Sequence, residues 1–400
     1  MTCTRTTHPV FYPMTNVIQN YAWGSTSSLT QLFDVPNSDN QPQAEIWMGA
    51  HPNGCSTIES DGELTLLSSL IASDKTCFLN PEITEKFGEL PYLFKVLAAD
   101  KALSIQVHPN KQQAEHGFQL EERLGVALNA SNRNYKDPNH KPELVYALTP
   151  YQAMNGFRAI KEIVKHFTAL DITVLAPLVN ALQQSPDEQG LKHFFNGLLS
   201  LPHEQKQSAT AALMQYAAQH EEAPFPLILA LEKQYPGDIG LFAPLLLNVI
   251  TLEPGEAMFL DAETPHAYIK GTGLEIMANS DNVLRAGLTP KYMDVDELVA
   301  CTRFEEKPFE QLRLQPTSEH GIEEYPIPVD DFRFAIIRDS IQRTLHLNSA
   351  EILLPIDAPM VLNHANGERC TVAKGQSVFI PACTEHYQLT CSGRVARAYC

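Results

Sequence analysis

No run of about 18 uncharged apolar residues occurs in this 400-residue sequence, so no membrane-crossing helix is expected. The first ten residues, Met1–Val10, hold no apolar stretch of the kind a secretory leader needs. Cysteine is sparse: eight residues (3, 55, 77, 301, 370, 383, 391 and 400), with no C-x-x-C pair among them. With no secretory signal, free thiols in a cytoplasmic protein are the expectation. Cations are scarce as well. Lys and Arg total 29 against 47 Asp and Glu, a formal net charge of −18. Nucleic-acid partners, which draw on basic stripes, are therefore not expected. An anionic small substrate would need a local cluster of Lys and Arg against that overall field.

What is present is an ordinary globular composition, 44% hydrophobic and 19% charged. Four hundred residues are too many for one core, so two or three domains are expected. Between about 155 and 246 the apolar residues recur at helical spacing. Ile160, Ile163, Val164 and Phe167 mark one face, and Leu191, Phe194, Phe195, Leu198 and Leu199 another. Strand patterns flank this segment on both sides. The fold class expected is mainly β with a helical insertion. Expected parts are a first β-domain over 1–154 and 247–312, the all-α insertion over 155–246, and a second β-domain over 313–400.

The chemistry concentrates in a few strand ends. In Ser104-Ile105-Gln106-Val107-His108 the side chains alternate, so Ile105 and Val107 can bury while Ser104, Gln106 and His108 share the other face. Glu143 opens the apolar run Glu143–Leu148, with Lys141 two residues back on the same face. A carboxylate there is costly unless paired or metal-bound, and both outcomes are open on this evidence. An internal repeat adds a second histidine. Gly255–His266 and Gly375–His386 share the skeleton G-x-x-x-F-[LI]-x-A-x-T-x-H at a constant offset of 120 residues. Two double-sheet rolls of common design follow, each with a histidine pointing inward after a sharp turn. Only the first copy has Q-x-H and Glu partners upstream, so His386 is expected to serve structure.

Gln106, His108, Glu143 and His266 thus form a coherent set of N and O donors suited to a borderline divalent ion, zinc first. Beyond them Glu275 offers an acid or base, and Arg285 and Lys291 two cations.

Five motifs carry a resemblance: Gln19–Ser25 (QNYAWGS), Ala44–Ser56 (AEIWMGAHPNGCS), Ser104–Asn110 (SIQVHPN), His140–Glu143 (HKPE) and Ser280–Lys291 (SDNVLRAGLTPK). With them the chain resembles the type I phosphomannose isomerases, metal-dependent members of the cupin superfamily. It departs from their usual pattern at Cys55, where proline is more common. The resemblance implies two cupin-like jelly rolls, the second without a metal site. It implies zinc, one ion per chain, on Gln106, His108, Glu143 and His266, with Arg285 essential. The reaction implied is the interconversion of mannose 6-phosphate and fructose 6-phosphate in mannose metabolism or GDP-mannose supply.

Such an exchange moves a proton between C1 and C2 through an enediol(ate), whose charge a metal and Arg285 would stabilise. Glu275 or His140 is the candidate base, with Lys141 beside the carboxylate ligand. Ser104, Lys95, Lys101, Lys291 and also Lys141 are candidate phosphate contacts. A monomer acting on a small sugar phosphate is expected. Two other classes fit parts of the pattern: a non-haem iron cupin dioxygenase, and a non-catalytic sugar-binding bicupin. The Gln ligand and the Arg/Lys segment weigh against the first, the intact ligand set against the second.

Overall fold

A computed structural model describes residues 8–60 and 62–400; Cys3 and the segment before His8, where the reading of a missing leader falls, lie outside them. Among the described residues no helix is long and apolar enough to cross a membrane. The architecture is mainly β with a helical insertion and a C-terminal run of strands. It divides into two compact units: the described residues up to Ala98 with Leu274–Asn279 and Gln315–Cys400, and Ala99–Gly273 with Ser280–Leu314.

The first unit is built on an eleven-stranded antiparallel sheet. Its spine is a long pair, Arg333–His346 against His386–Tyr399, joined from Arg333↔Tyr399 to His346↔His386 with irregularities between Arg338 and Arg343. The alternation of that second strand places Tyr387 and Leu389 inside and His386 and Gln388 outside. Tyr12–Thr15 adds to the C-terminal strand Ser377–Ile380 on one side and to Thr57–Ser60 on the other. The compact units therefore divide the chain differently from the sequence-based boundaries. Residues before Ala98 join the C-terminal segment because strand pairing, invisible in periodicity, selects the partner. A second difference concerns cysteine. Cys77 and Cys383, 306 residues apart, form a disulfide instead of two free thiols, a pairing that no local spacing announces. Cys55, Cys301, Cys370, Cys391 and Cys400 are free.

The second unit packs helices against a smaller set of strands. Ile160–Leu170, Glu188–Leu199 and His203–Ala217 bury Ile163, Phe167, Leu191, Phe194 and Leu213 in one apolar cluster. The apolar stripes expected from spacing are the buried ones. Its strands pair antiparallel: Glu143–Ala147 with Ala257–Leu260, Tyr151–Phe157 with Leu247–Leu252, and Ile105–Val107 with Leu284–Gly287.

The internal repeat is real in three dimensions but its turns differ. Leu260 pairs with Glu143 in one roll and Ile380 with Glu351 in the other, 120 residues on, and both carboxylates are buried. The left-handed turn residue falls at Glu263, three before His266, but at Glu385, one before His386. The second strand is thus entered in a different phase. His266 is buried while His386 is exposed and Tyr387 takes the interior, so His386 does not point inward as the repeat suggests. Around Glu351 a guanidinium stands where the first roll gathers imidazoles. Arg397 Nε donates to Glu351 Oε2 at 2.6 Å, and Tyr387 donates its hydroxyl to Oε1.

A buried ion pair broken on one side leaves an uncompensated charge. Arg397→Met should cost about 3–5 kcal/mol in denaturant unfolding. Adding Glu351→Leu should recover most of that loss; an additive further loss would contradict the pairing.

Candidate active site

Three of the four expected ligands converge in the second unit. His108, Glu143 and His266 are buried, and one ligand atom from each lies within 4.8 Å of the others. His108 Nε2 stands 3.3 Å from Glu143 Oε1 and His266 Nε2 3.5 Å from Oε2, with ring centroids 5.0 Å apart. The tautomers follow from the far nitrogens. His108 Nδ1 lies 2.7 Å from the Asn282 carbonyl and His266 Nδ1 2.9 Å from that of Thr264, so each Nδ1–H donates. Each Nε2 then presents a lone pair to a carboxylate. His108 Nε2 is buried without a hydrogen-bond partner. Protonation does not relieve it, because burial first, and then Lys141, lower that imidazole to about 4. A cation between the three groups does. The donor set fits zinc.

Burial acts to raise the Glu143 carboxyl, but Lys141 and the histidines outweigh it and hold it well below the usual carboxylate range. Lys141 Nζ is 3.2 Å from Oε1, and the Tyr268 hydroxyl donates to Oε2 at 2.7 Å. The pairing and the ligand role left open by the sequence therefore coexist at one carboxylate.

Register supplies the remaining members. Gln106 lies directly opposite His266 on one neighbour and directly opposite Arg285 on the other. Directly opposed residues share a sheet face, so His266, Gln106 and Arg285 form one row, with Arg285 about two strand spacings, ~10 Å, from His266. Arg285 has no carboxylate partner among the described residues, and burial lowers its pKa. Lys291 is lowered by burial and then by Arg285 and Lys136, which marks a cationic cluster of three.

Both histidine-bearing turns are fixed by one residue. Glu263 donates its N–H to the His108 carbonyl at 2.7 Å, and its Oε1 accepts from Asn110 Nδ2 and Gln113 Nε2 at 3.1 and 3.0 Å. Asn110 and Gln113 also form the capping box that starts the helix Lys111–Arg123 immediately after His108-Pro109. Asn282, fully buried, donates to the carbonyls of Asp137 and Asn139 and so steadies the loop before Lys141.

The other expected residues divide between the two units. Lys95 and Glu275 belong to the first unit, where they form a buried pair at 2.7 Å with Glu45 at 3.6 Å. Lys101 is exposed; Ser104 and His140 are half-buried in the second unit. Tyr268, Glu263, Asn282 and Lys136 went unread in the sequence. Tyr268 carried a signal, since it follows His266 by two and shares its face; the others act across loops and left none.

The sequence matches the type I phosphomannose isomerase catalytic domain over residues 11–160 and that family's helical insertion domain over 170–247. The mannose-6-phosphate isomerase cupin domain matches over 321–400. A mannose-6-phosphate isomerase of Escherichia coli K12 is 46% identical over 387 residues, 96% of this chain and 98% of the relative. The human mannose-6-phosphate isomerase is 36% identical over 389 residues, covering 88% and 89%. A crystal structure of a zinc-bound mannose 6-phosphate isomerase superposes with a TM-score of 0.92 at 45% identity, over 98% of this chain and 99% of that one. On fold, sequence and the converging donors together, the chain belongs to the type I phosphomannose isomerase family.

Proposed function

We propose that the chain interconverts D-mannose 6-phosphate and D-fructose 6-phosphate, as a monomer in the cytoplasm, with one zinc ion held by Gln106, His108, Glu143 and His266. The observation that carries this reading is the orphaned, buried Nε2 of His108 aimed at a carboxylate. Zinc bound there supplies Lewis-acid polarisation of a sugar oxygen. The isomerisation moves a proton between C1 and C2 of the open-chain sugar and leaves negative charge on oxygen. Arg285, in the row with His266 and lacking a counter-ion, is the donor matched to that charge. Lys291 and Lys136, with Ser104 and Lys101, give the phosphate dianion a basic footing within a chain of net charge −18. Lys95, committed to Glu275 and Glu45, orients Glu275. Glu275, His140 and Lys141 are the proposed proton carriers, and single variants of each, assayed in both directions, rank them.

Chelation should abolish fructose 6-phosphate formation in a coupled assay, and added zinc should restore it. His266→Ala should lose both metal and activity; full turnover by metal-free protein would sink the zinc assignment.

Arg285→Ala should lower kcat by about 10²–10³ with little change in KM, as loss of a preorganised oxyanion donor does. Arg285→Lys keeps charge but not the planar fork and should stay impaired. A pure rise in KM at full zinc occupancy would instead make Arg285 a phosphate contact.

Glu263→Ala should weaken zinc affinity by about 10–100-fold, the usual effect of removing a group that orients metal ligands. Competition with a chromogenic chelator measures it, and unchanged affinity contradicts the positioning role.

A further inference from the structure

The shifted turn that expels His386 from the second roll places it among other imidazoles. His346 lies directly opposite it on one neighbouring strand, at the end of the long antiparallel pair. Cβ atoms of such a pair stand about 4.5–5.5 Å apart on one face. On the other edge of the same strand runs Met360–Asn363, with Asn363 opposite Gln388, and His364 follows at its end. The His386 ring centroid lies 6.1 Å from that of His346 and 5.7 Å from that of His364. The His108–His266 pair of the candidate active site provides a ruler within the same chain: its centroids are 5.0 Å apart. The two surface separations exceed it by 1.1 and 0.7 Å. His346 and His386 are exposed and His364 half-buried, so rotations about χ1, which swing the ring centres, and about χ2, which turn the ring nitrogens, meet mainly water.

The rings have little else to hold them. Neither imidazole of His346 nor of His386 is hydrogen-bonded or ion-paired among the described residues. His364 Nδ1 accepts one long bond, 3.3 Å, from the Asn366 N–H, which a metal can replace. We propose that His346, His364 and His386 form a second, solvent-exposed binding site for a first-row transition-metal dication. Three imidazole donors select zinc, nickel or copper over magnesium or calcium, which require oxygen donors. Three protein donors leave coordination positions open to water, to a small ligand or to a further imidazole. The net charge of −18 raises the local concentration of dications around the chain.

The test uses the full chain with its tight site already loaded with zinc. Titration with nickel ion should show one further equivalent bound, and untagged protein should be retained on immobilised nickel. His386→Ala should lose that equivalent at nickel concentrations that saturate the wild type, while tight zinc content and isomerase activity stay unchanged. His346→Ala and His364→Ala should each weaken the site. Absence of a second equivalent overturns the proposal. So does its persistence in the His346→Ala/His386→Ala double variant, which would assign binding to other surface histidines. An unaltered titration in His364→Ala overturns the three-ligand assignment.

Discussion

Strand register is the constraint on which the rest of this structure depends. Arg285, Gln106 and His266 stand in one row because three antiparallel strands meet at those positions. A slip of one residue in any of them turns the functional side chain to the opposite face. Register is in turn held by burial: Ile105 and Val107 alternate with Gln106 and are almost wholly enclosed. The apolar half of the strand thus fixes the polar half. Glu263 then ties the His108 loop to the turn before His266, so that turn geometry and register agree.

The two rolls show what each solution costs and gains. Both bury a glutamate at the same point of the repeat, and both bring a tyrosine hydroxyl to it. In one roll the charge faces two imidazole lone pairs, which leaves coordination chemistry available. In the other a guanidinium closes on it directly, and a salt bridge of that kind is saturated and inert. The difference traces to where the left-handed turn residue falls, not to loss of the glutamate. That turn decides whether a histidine faces the carboxylate or the solvent.

Much of this was legible in the sequence, and the pattern of success follows from distance along the chain. The helical insertion declared itself through spacing within single elements, and its stripes are the buried ones. Three converging donors were readable because His108, Glu143 and His266 each stand at a strand end whose alternation is local. Arg285 could be named through family resemblance, but its place in the row needed the pairing of separate strands. Pairing across hundreds of residues left no trace. Periodicity could not tell that Tyr12–Thr15 joins Ser377–Ile380, that Cys77 meets Cys383, or that Lys95 is committed to Glu275. The repeat misled at one point, because equal spacing of His266 and His386 concealed unequal turns.

The insertion of Tyr12–Thr15 between Ser377–Ile380 and Thr57–Ser60 has a consequence for biosynthesis. Tyr12–Thr15 leaves the ribosome hundreds of residues ahead of a strand it pairs with. At about 5–20 residues per second, its partner emerges on the order of 20–70 s later. During that interval the strand presents an unpaired edge, the kind of surface that recruits other chains. Until then Tyr12–Thr15 can pair only with Thr57–Ser60 on its other edge. Vectorial synthesis thus postpones closure of this sheet at Tyr12–Thr15 until Ser377–Ile380 has been made.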